Sequence, residues 1–255
     1  MFDFFRQWRE RRIIARSRIT EAQWRAAFAR LPLLHGLDDE ERRRLRELVI
    51  LFLHRKVFEG ARGMEVNLPM ALTIALQACL PILRLGLDWY DGFTAIIVYP
   101  AGFAPERVMR DEAGVEHRVQ TELAGEAWQR GPVILAWDDT AHAGVVDGYN
   151  LVIHEFAHKL DMRNGEANGF PPLHADMDAG QWTRSFSEAY EDLKRHCTKG
   201  GHAEIDCYAA TSPAEFFAVL SEIFFEKPQV IRRHYPAVHE QLRQFYRQDP
   251  QARLE

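Results

Sequence analysis

The segment Asn150-Leu-Val-Ile-His-Glu-Phe-Ala-His-Lys-Leu-Asp161 constrains this chain more than any other. Leu151, Val152, Ile153, Phe156, Ala157 and Leu160 make it apolar on most faces, the pattern of a helix inside a core. The same helix carries His154, Glu155 and His158, and buried polar groups need partners. Residues four apart share a helix face one turn apart. Both imidazoles can therefore reach one Zn²⁺ at roughly 2.0–2.1 Å. Glu155 falls beside the metal, where it can take a proton from a metal-activated water. A metal satisfies all three groups at once; the competing reading is a buried cluster in which the side chains satisfy one another.

Composition narrows the setting. The chain has 255 residues, 47% hydrophobic, enough for one or two domains with a sizeable core. Its 32 basic and 37 acidic residues give a formal charge of −5, so no global basic field favours nucleic acid. Cys79, Cys197 and Cys207 are few, odd in number and without C-x-x-C spacing. That pattern predicts a reducing compartment and no disulfide framework. The first residues lack the charged-then-apolar order of a signal peptide. The longest apolar run, Leu68 to Leu83, is short for a membrane span and contains Pro69, Gln77 and Pro81. It reads as a buried helix in a soluble, cytoplasmic protein.

The first 18 residues alternate Phe2, Phe4, Phe5, Trp8, Ile13 and Ile14 with six arginines. This is either a surface for a membrane or an acidic partner, or a terminal helix with a docked aromatic face and a solvated arginine face. Residues 20–56 read as short helices broken at Leu31-Pro32 and His35-Gly36. Strand candidates are Phe93–Tyr99, a polar stretch His117–Leu123, and Pro132–Trp137. Asp147-Gly148 turns the chain into the histidine helix, and Asn164-Gly165 is a C-cap candidate. Residues 164–176 form a Gly-, Asn- and Pro-rich loop able to cover a cleft. Helices are expected over Gln181–Cys197, Pro213–Phe225 and the tail to about Gln248. Strands before the motif and helices after it give α+β order, mostly helical, with a small twisted sheet preceding the histidine helix.

A catalytic zinc commonly has three protein ligands and one open position. A third histidine in the pattern H-E-x-x-H-x-x-G-x-x-H is ruled out, because Asp161 and Asn164 stand at the last two defined positions. The candidate is then Glu215, in Tyr208-Ala-Ala-Thr-Ser-Pro-Ala-Glu-Phe-Phe-Ala-Val-Leu-Ser-Glu222. That helix too is apolar nearly all round, and Glu215 and Glu222 share a face seven residues apart. Ser212-x-x-Glu215 is also a capping-box pattern with Pro213 at the first helical position, and a capping glutamate needs no metal. Spacing leaves both readings open. Tyr208 is either a packed tyrosine or a phenol able to donate to an oxyanion. Asp161 can orient an imidazole or end the helix, and Glu222 can support a ligand from behind. His142, His174 and His202 read as surface or loop histidines.

The two blocks around His154 and Glu215, with the closing Phe245-Tyr-Arg-Gln-Asp-Pro250, resemble the Mlc titration factor A family, bacterial zinc metallopeptidases of the glutamate-zincin type. The likeness runs from about Leu31 to Pro250 and is weakest at the N-terminus. It implies a zincin-like metallopeptidase domain over residues 31–255, preceded by a basic amphipathic segment over residues 1–30. It implies one zinc held by His154, His158 and Glu215, with Glu155 as catalytic base and Tyr208 as oxyanion donor. It further implies aminopeptidase-like action on small peptides and, as an alternative or additional role, capture of a DNA-binding repressor. By analogy with zincins, the strand Val133–Trp137 would pair with extended substrate.

Overall fold

A computed structural model describes residues 2–102, 106–110, 116–120, 125–127, 131–142, 145–199 and 204–253. His202 and the end of the expected strand at 121–123 lie outside them. The order begins α1 (Phe2–Ala15), α2 (Glu21–Ala29), α3 (Asp39–Arg55), β1 (Val57–Gly60), α4 (Leu68–Cys79) and β2 (Ala95–Tyr99). It continues with β3 (Glu106–Arg110), β4 (Glu116–Gln120), β5 (Gly125–Ala127), β6 (Val133–Ala136), α5 (Trp137–Ala141) and α6 (Leu151–Asp161). It ends with α7 (Ala179–Thr198), α8 (Pro213–Glu226), α9 (Pro228–His234) and α10 (Pro236–Tyr246). The architecture is α+β, mostly helical with a small sheet, as in zincin-like metallopeptidases.

Local chemistry sets the helix ends. Asp38 Oδ1 accepts from Glu41 N and the Glu41 carboxylate accepts from Asp38 N, a capping box that starts α3. Asn67, Asn150, Asp178 and Ser212 cap α4, α6, α7 and α8 in the same one-sided way, each accepting from the amide three residues on. Pro228 and Pro236 sit in the first turns of α9 and α10, where a missing N–H costs nothing.

The main sheet runs β1-β2-β6-β5, with the first three strands parallel and β5 antiparallel at the edge. Helix α4 is the crossover between β1 and β2 that parallel pairing requires. Strand β6 is interior: Ile134 is registered with Ile97 of β2 on one side and with Glu126 of β5 on the other. Its ladder positions are therefore used, and the expectation that this strand pairs with substrate is corrected; the outer edge beside it belongs to β5.

One core joins the sheet to the helices. Phe156 of α6 is fully buried, its ring 5.0 Å from Tyr90, 5.7 Å from Phe52 and 5.9 Å from Phe93. On the other side of the core, Trp182 of α7 stacks on Phe186 at 4.2 Å and tilts against Phe217 of α8. Between these clusters α6 packs directly on α8, which is what assembles the site.

Two further expectations change. Cys197 and Cys207 form a disulfide, Cα atoms 5.7 Å apart, while Cys79 is free and buried. The chain leaves α7 and returns ten residues later to the turn before α8, a juxtaposition that cysteine spacing alone does not reveal. In α1 the packing against the core is made by Ile13 and Ile14, while Phe5 is 58% and Trp8 52% exposed. No described helix is long and apolar enough to cross a membrane.

Candidate metal centre

His154 and His158 project from α6 toward the first turn of α8, where Glu215 meets them. Glu215 Oε2 lies 3.0 Å from His154 Nε2 and 3.4 Å from His158 Nε2, and the two Nε2 atoms are 3.2 Å apart. Ligand atoms about 2.05 Å from a tetrahedral ion stand roughly 3.3 Å from one another. The observed triangle has that size. Glu215 Oε2 is buried yet has no hydrogen-bond donor directed at it. Three electron-pair donors converging on one point, one of them an orphaned buried oxygen, fit a divalent cation better than a hydrogen-bonded cluster.

The capping question is answered by the same geometry. Ser212 Oγ accepts from Glu215 N at 3.2 Å, so the serine caps α8. The glutamate carboxylate does not return to Ser212 N; it points at the imidazoles. The imidazoles hold Glu215 well below the usual carboxylate range, against the opposing effect of burial.

Glu222, seven residues further along α8, stands behind His154. Its Oε1 is 2.7 Å from His154 Nδ1 and its Oε2 accepts from Asn150 N at 2.5 Å. An Nδ1–H donated to Glu222 leaves the Nε2 lone pair facing the centre, which fixes the tautomer a metal needs. Asn150 in turn donates to Gln77 Oε1 and Glu226 Oε1, so α4, α6 and α8 share one buried polar network. Gln77 and Glu226 are not legible as members from sequence; buried polar residues in otherwise apolar helices are the signal that finds them.

Glu155 is 4% exposed, and its Oε2 has no hydrogen-bond partner. Burial raises its pKa to about 7, the two histidines opposing. Its side chain lines a cavity of about 560 Å³ together with His154, Tyr208 and Glu222, walled by Val219 and Ile223 of α8. A carboxylate poised near neutrality at the wall of such a cavity is suited to moving protons.

Tyr208 lies in the short turn Cys207–Ala210 that precedes α8. Asp206 Oδ1 accepts from Tyr208 N at 2.9 Å, and Tyr208 O accepts from Thr211 Oγ1 at 2.7 Å. The ring is half exposed, 6.1 Å from the His154 ring, with its hydroxyl toward Glu215. Partial burial and the Glu215 charge push its pKa up to about 12, so the phenol keeps its proton and can donate it in a hydrogen bond.

Other expected residues fall elsewhere. Asp161 Oδ2 accepts from Asn168 N and Gly169 N, so it pins the following loop, and the His158 imidazole acts on it only through its charge. That loop is also held by Trp182 Nε1 donating to Gly169 O and by His174 hydrogen-bonded to Phe245 O. It packs toward α7 and α10 and does not line the cavity beside Glu155. His142 is exposed on α5's end, away from the centre.

The chain is 42% identical over 233 residues to Mlc titration factor A of Cronobacter sakazakii, covering 91% of this chain and 88% of that one. Mlc titration factor A of Salmonella typhi is 43% identical and that of Yersinia enterocolitica 40%, each over 236 residues, 91% of this chain and 88% of the relative. The family model described as glucose-regulated metallo-peptidase M90 matches residues 5–247, and the chain belongs to that family.

Proposed function

We propose that the protein is a zinc-dependent peptidase of aminopeptidase type acting on small peptides. The observation that carries this reading is the triangle of His154 Nε2, His158 Nε2 and Glu215 Oε2, with an unpartnered buried carboxylate beside it. His154, His158 and Glu215 would hold the ion. A Zn²⁺ bound there supplies Lewis acidity to a carbonyl and acidifies water. Glu155 accepts the proton of the attacking water and delivers it to the leaving amine. Tyr208 donates its hydroxyl to the carbonyl oxygen as negative charge develops there. Glu222 keeps His154 in the required tautomer. The cavity lined by Val219 and Ile223 receives a substrate side chain.

A second role is favoured by one observation, the name of the relatives: Mlc titration factor A. It supports binding of a repressor of the Mlc type. A cytoplasmic setting would suit that partner, although the Cys197–Cys207 bond removes the cysteine pattern as support for it.

Metal content, hydrolysis of alanyl and leucyl anilides, and repressor binding measured on one preparation test both roles. Glu155→Gln should retain one zinc per chain and repressor binding while losing hydrolysis at least about a hundredfold. Full hydrolysis by Glu155→Gln would overturn the assigned base. Loss of zinc would show that Glu155 maintains the metal site instead.

A further inference from the structure

Far from the metal centre, α1 and α3 enclose a trough. One part is a cavity of about 600 Å³ whose lining includes Ile13, Ile19, Ile50 and Leu53, with Trp8 and Leu68 at its exposed rim. A neighbouring cavity of about 560 Å³ shares Arg9, Ile13 and His54 with it and reaches Phe5. The two adjoin along α1. From Phe5 to Arg16 the trough runs about 16 Å at 1.5 Å per residue, three turns of helix.

Its charge is one-sided. Arg9, Arg12 and Arg16 recur at helical spacing along the trough and make no ion pair among the described residues. Arg12 rests over the Trp8 ring at 5.3 Å. No carboxylate lines the larger cavity. The carboxylates beside the smaller cavity are paired: Arg55 takes Glu10 and Asp88, and Arg6 takes Asp88. Residues 1–18 hold six arginines against Asp3 and Glu10, a formal +4 in a chain whose total is −5. Positive charge is thus concentrated where apolar surface is left uncovered.

We propose that this trough is a docking site for an acidic amphipathic helix of a partner protein. The apolar floor takes the helix's hydrophobic stripe, and the three arginines take carboxylates flanking it, in charge-assisted and potentially bidentate pairs. Concavity selects a helix over a planar bilayer, which would meet Phe5 and Trp8 but leave the floor uncovered. The apolar floor likewise selects against a nucleic acid, whose backbone offers phosphates without a hydrophobic stripe. The inference is independent of the metal centre.

The test uses the full chain and a fluorescein-labelled peptide of about fourteen residues, roughly four helical turns, with leucines on one face flanked by glutamates. Fluorescence anisotropy should give saturable binding that weakens as salt rises. A peptide of the same composition with the leucine stripe scrambled, and one with lysine for glutamate, should each bind at least about tenfold more weakly. The triple variant Arg9→Glu, Arg12→Glu, Arg16→Glu and, separately, Leu53→Glu should each lower affinity by about tenfold or more. Arg12→Glu alone changes an exposed residue and keeps the test open should the other variants misfold; it should weaken binding several-fold. Zinc content and anilide hydrolysis should not change in any folded variant. Absence of binding, equal binding of ordered and scrambled peptides, or indifference to Arg12→Glu would overturn the proposal. So would cosedimentation with phosphatidylglycerol vesicles by a protein that ignores the peptide.

Discussion

Replacing Glu222 by Gln tests whether a carboxylate that never touches the metal governs its retention. Glu222 is 2% exposed and accepts from two buried donors, His154 Nδ1 at 2.7 Å and Asn150 N at 2.5 Å. Gln preserves the shape and one acceptor, but its amide group must face one of those donors. One charge-assisted hydrogen bond is then lost, worth about 1.5–3 kcal/mol. If the loss falls on His154, the imidazole is no longer held with its Nε2 lone pair toward Glu215, and zinc affinity should drop about 10- to 100-fold. That corresponds to about 1.4–2.7 kcal/mol, which matches the hydrogen-bond estimate. Glu222→Ala strands both donors and should in addition lower folding stability by about 2–6 kcal/mol. Competition against a chromophoric chelator reads affinity, and thermal unfolding of the metal-free protein reads stability. Zinc affinity of folded Glu222→Ala equal to wild type would refute the tautomer argument, because that variant leaves His154 Nδ1 no acceptor whichever way Gln turns. Equal stability losses in both variants would show that the charged acceptor, not the shape that Gln preserves, is what Glu222 supplies.

Tyr208→Phe should lower kcat for anilide hydrolysis by about 10²–10³ with little change in KM, since the lost donor acts on charge that develops during reaction; unchanged turnover would return Tyr208 to a packing role. Phe156→Ala should cost about 3–5 kcal/mol in chemical denaturation, because its ring fills the space between Tyr90, Phe52 and Phe93. Burial raises the Glu226 pKa from 4.5 to about 7, so the folded state holds this proton more tightly than the unfolded chain. The stabilisation is complete below 4.5, declines up to about 7 and is gone above it; Glu226→Gln should therefore raise Tm relative to wild type at about pH 8 but not at about pH 4.5.

The sequence made the α6 and α8 helices legible because each is apolar on nearly every face yet contains carboxylates or histidines, a conflict that only a buried polar site resolves. Pro213 marked the start of α8 where the structure has it. The role of Glu215 was not decidable from spacing, because a cap and a ligand occupy the same first-turn position; only the side-chain direction separates them. Strand β1 escaped notice since Val57–Gly60 is four residues long and largely exposed. Sheet order escaped it too, since parallel pairing depends on crossovers rather than on any residue pattern. Asp161 illustrates a further limit: its position on the histidine face was read correctly, but its hydrogen bonds go to Asn168 and Gly169, which the helix period does not encode.

The bond between Cys197 and Cys207 makes the residue next to Tyr208 a covalent neighbour of the end of α7. Cys207 is exposed, so a dithiol in solution can reach the bridge. Closing a ring of this size restrains the unfolded chain by about 3 kcal/mol. Once the bridge is reduced, the turn that carries the phenol is held by Asp206, by Thr211, by the Tyr190 hydroxyl donating to Ala210 O and by its packing on α7 and α8. A purification buffer containing thiol and one without it therefore deliver two covalently different proteins, and rates measured on them are rates of different molecules.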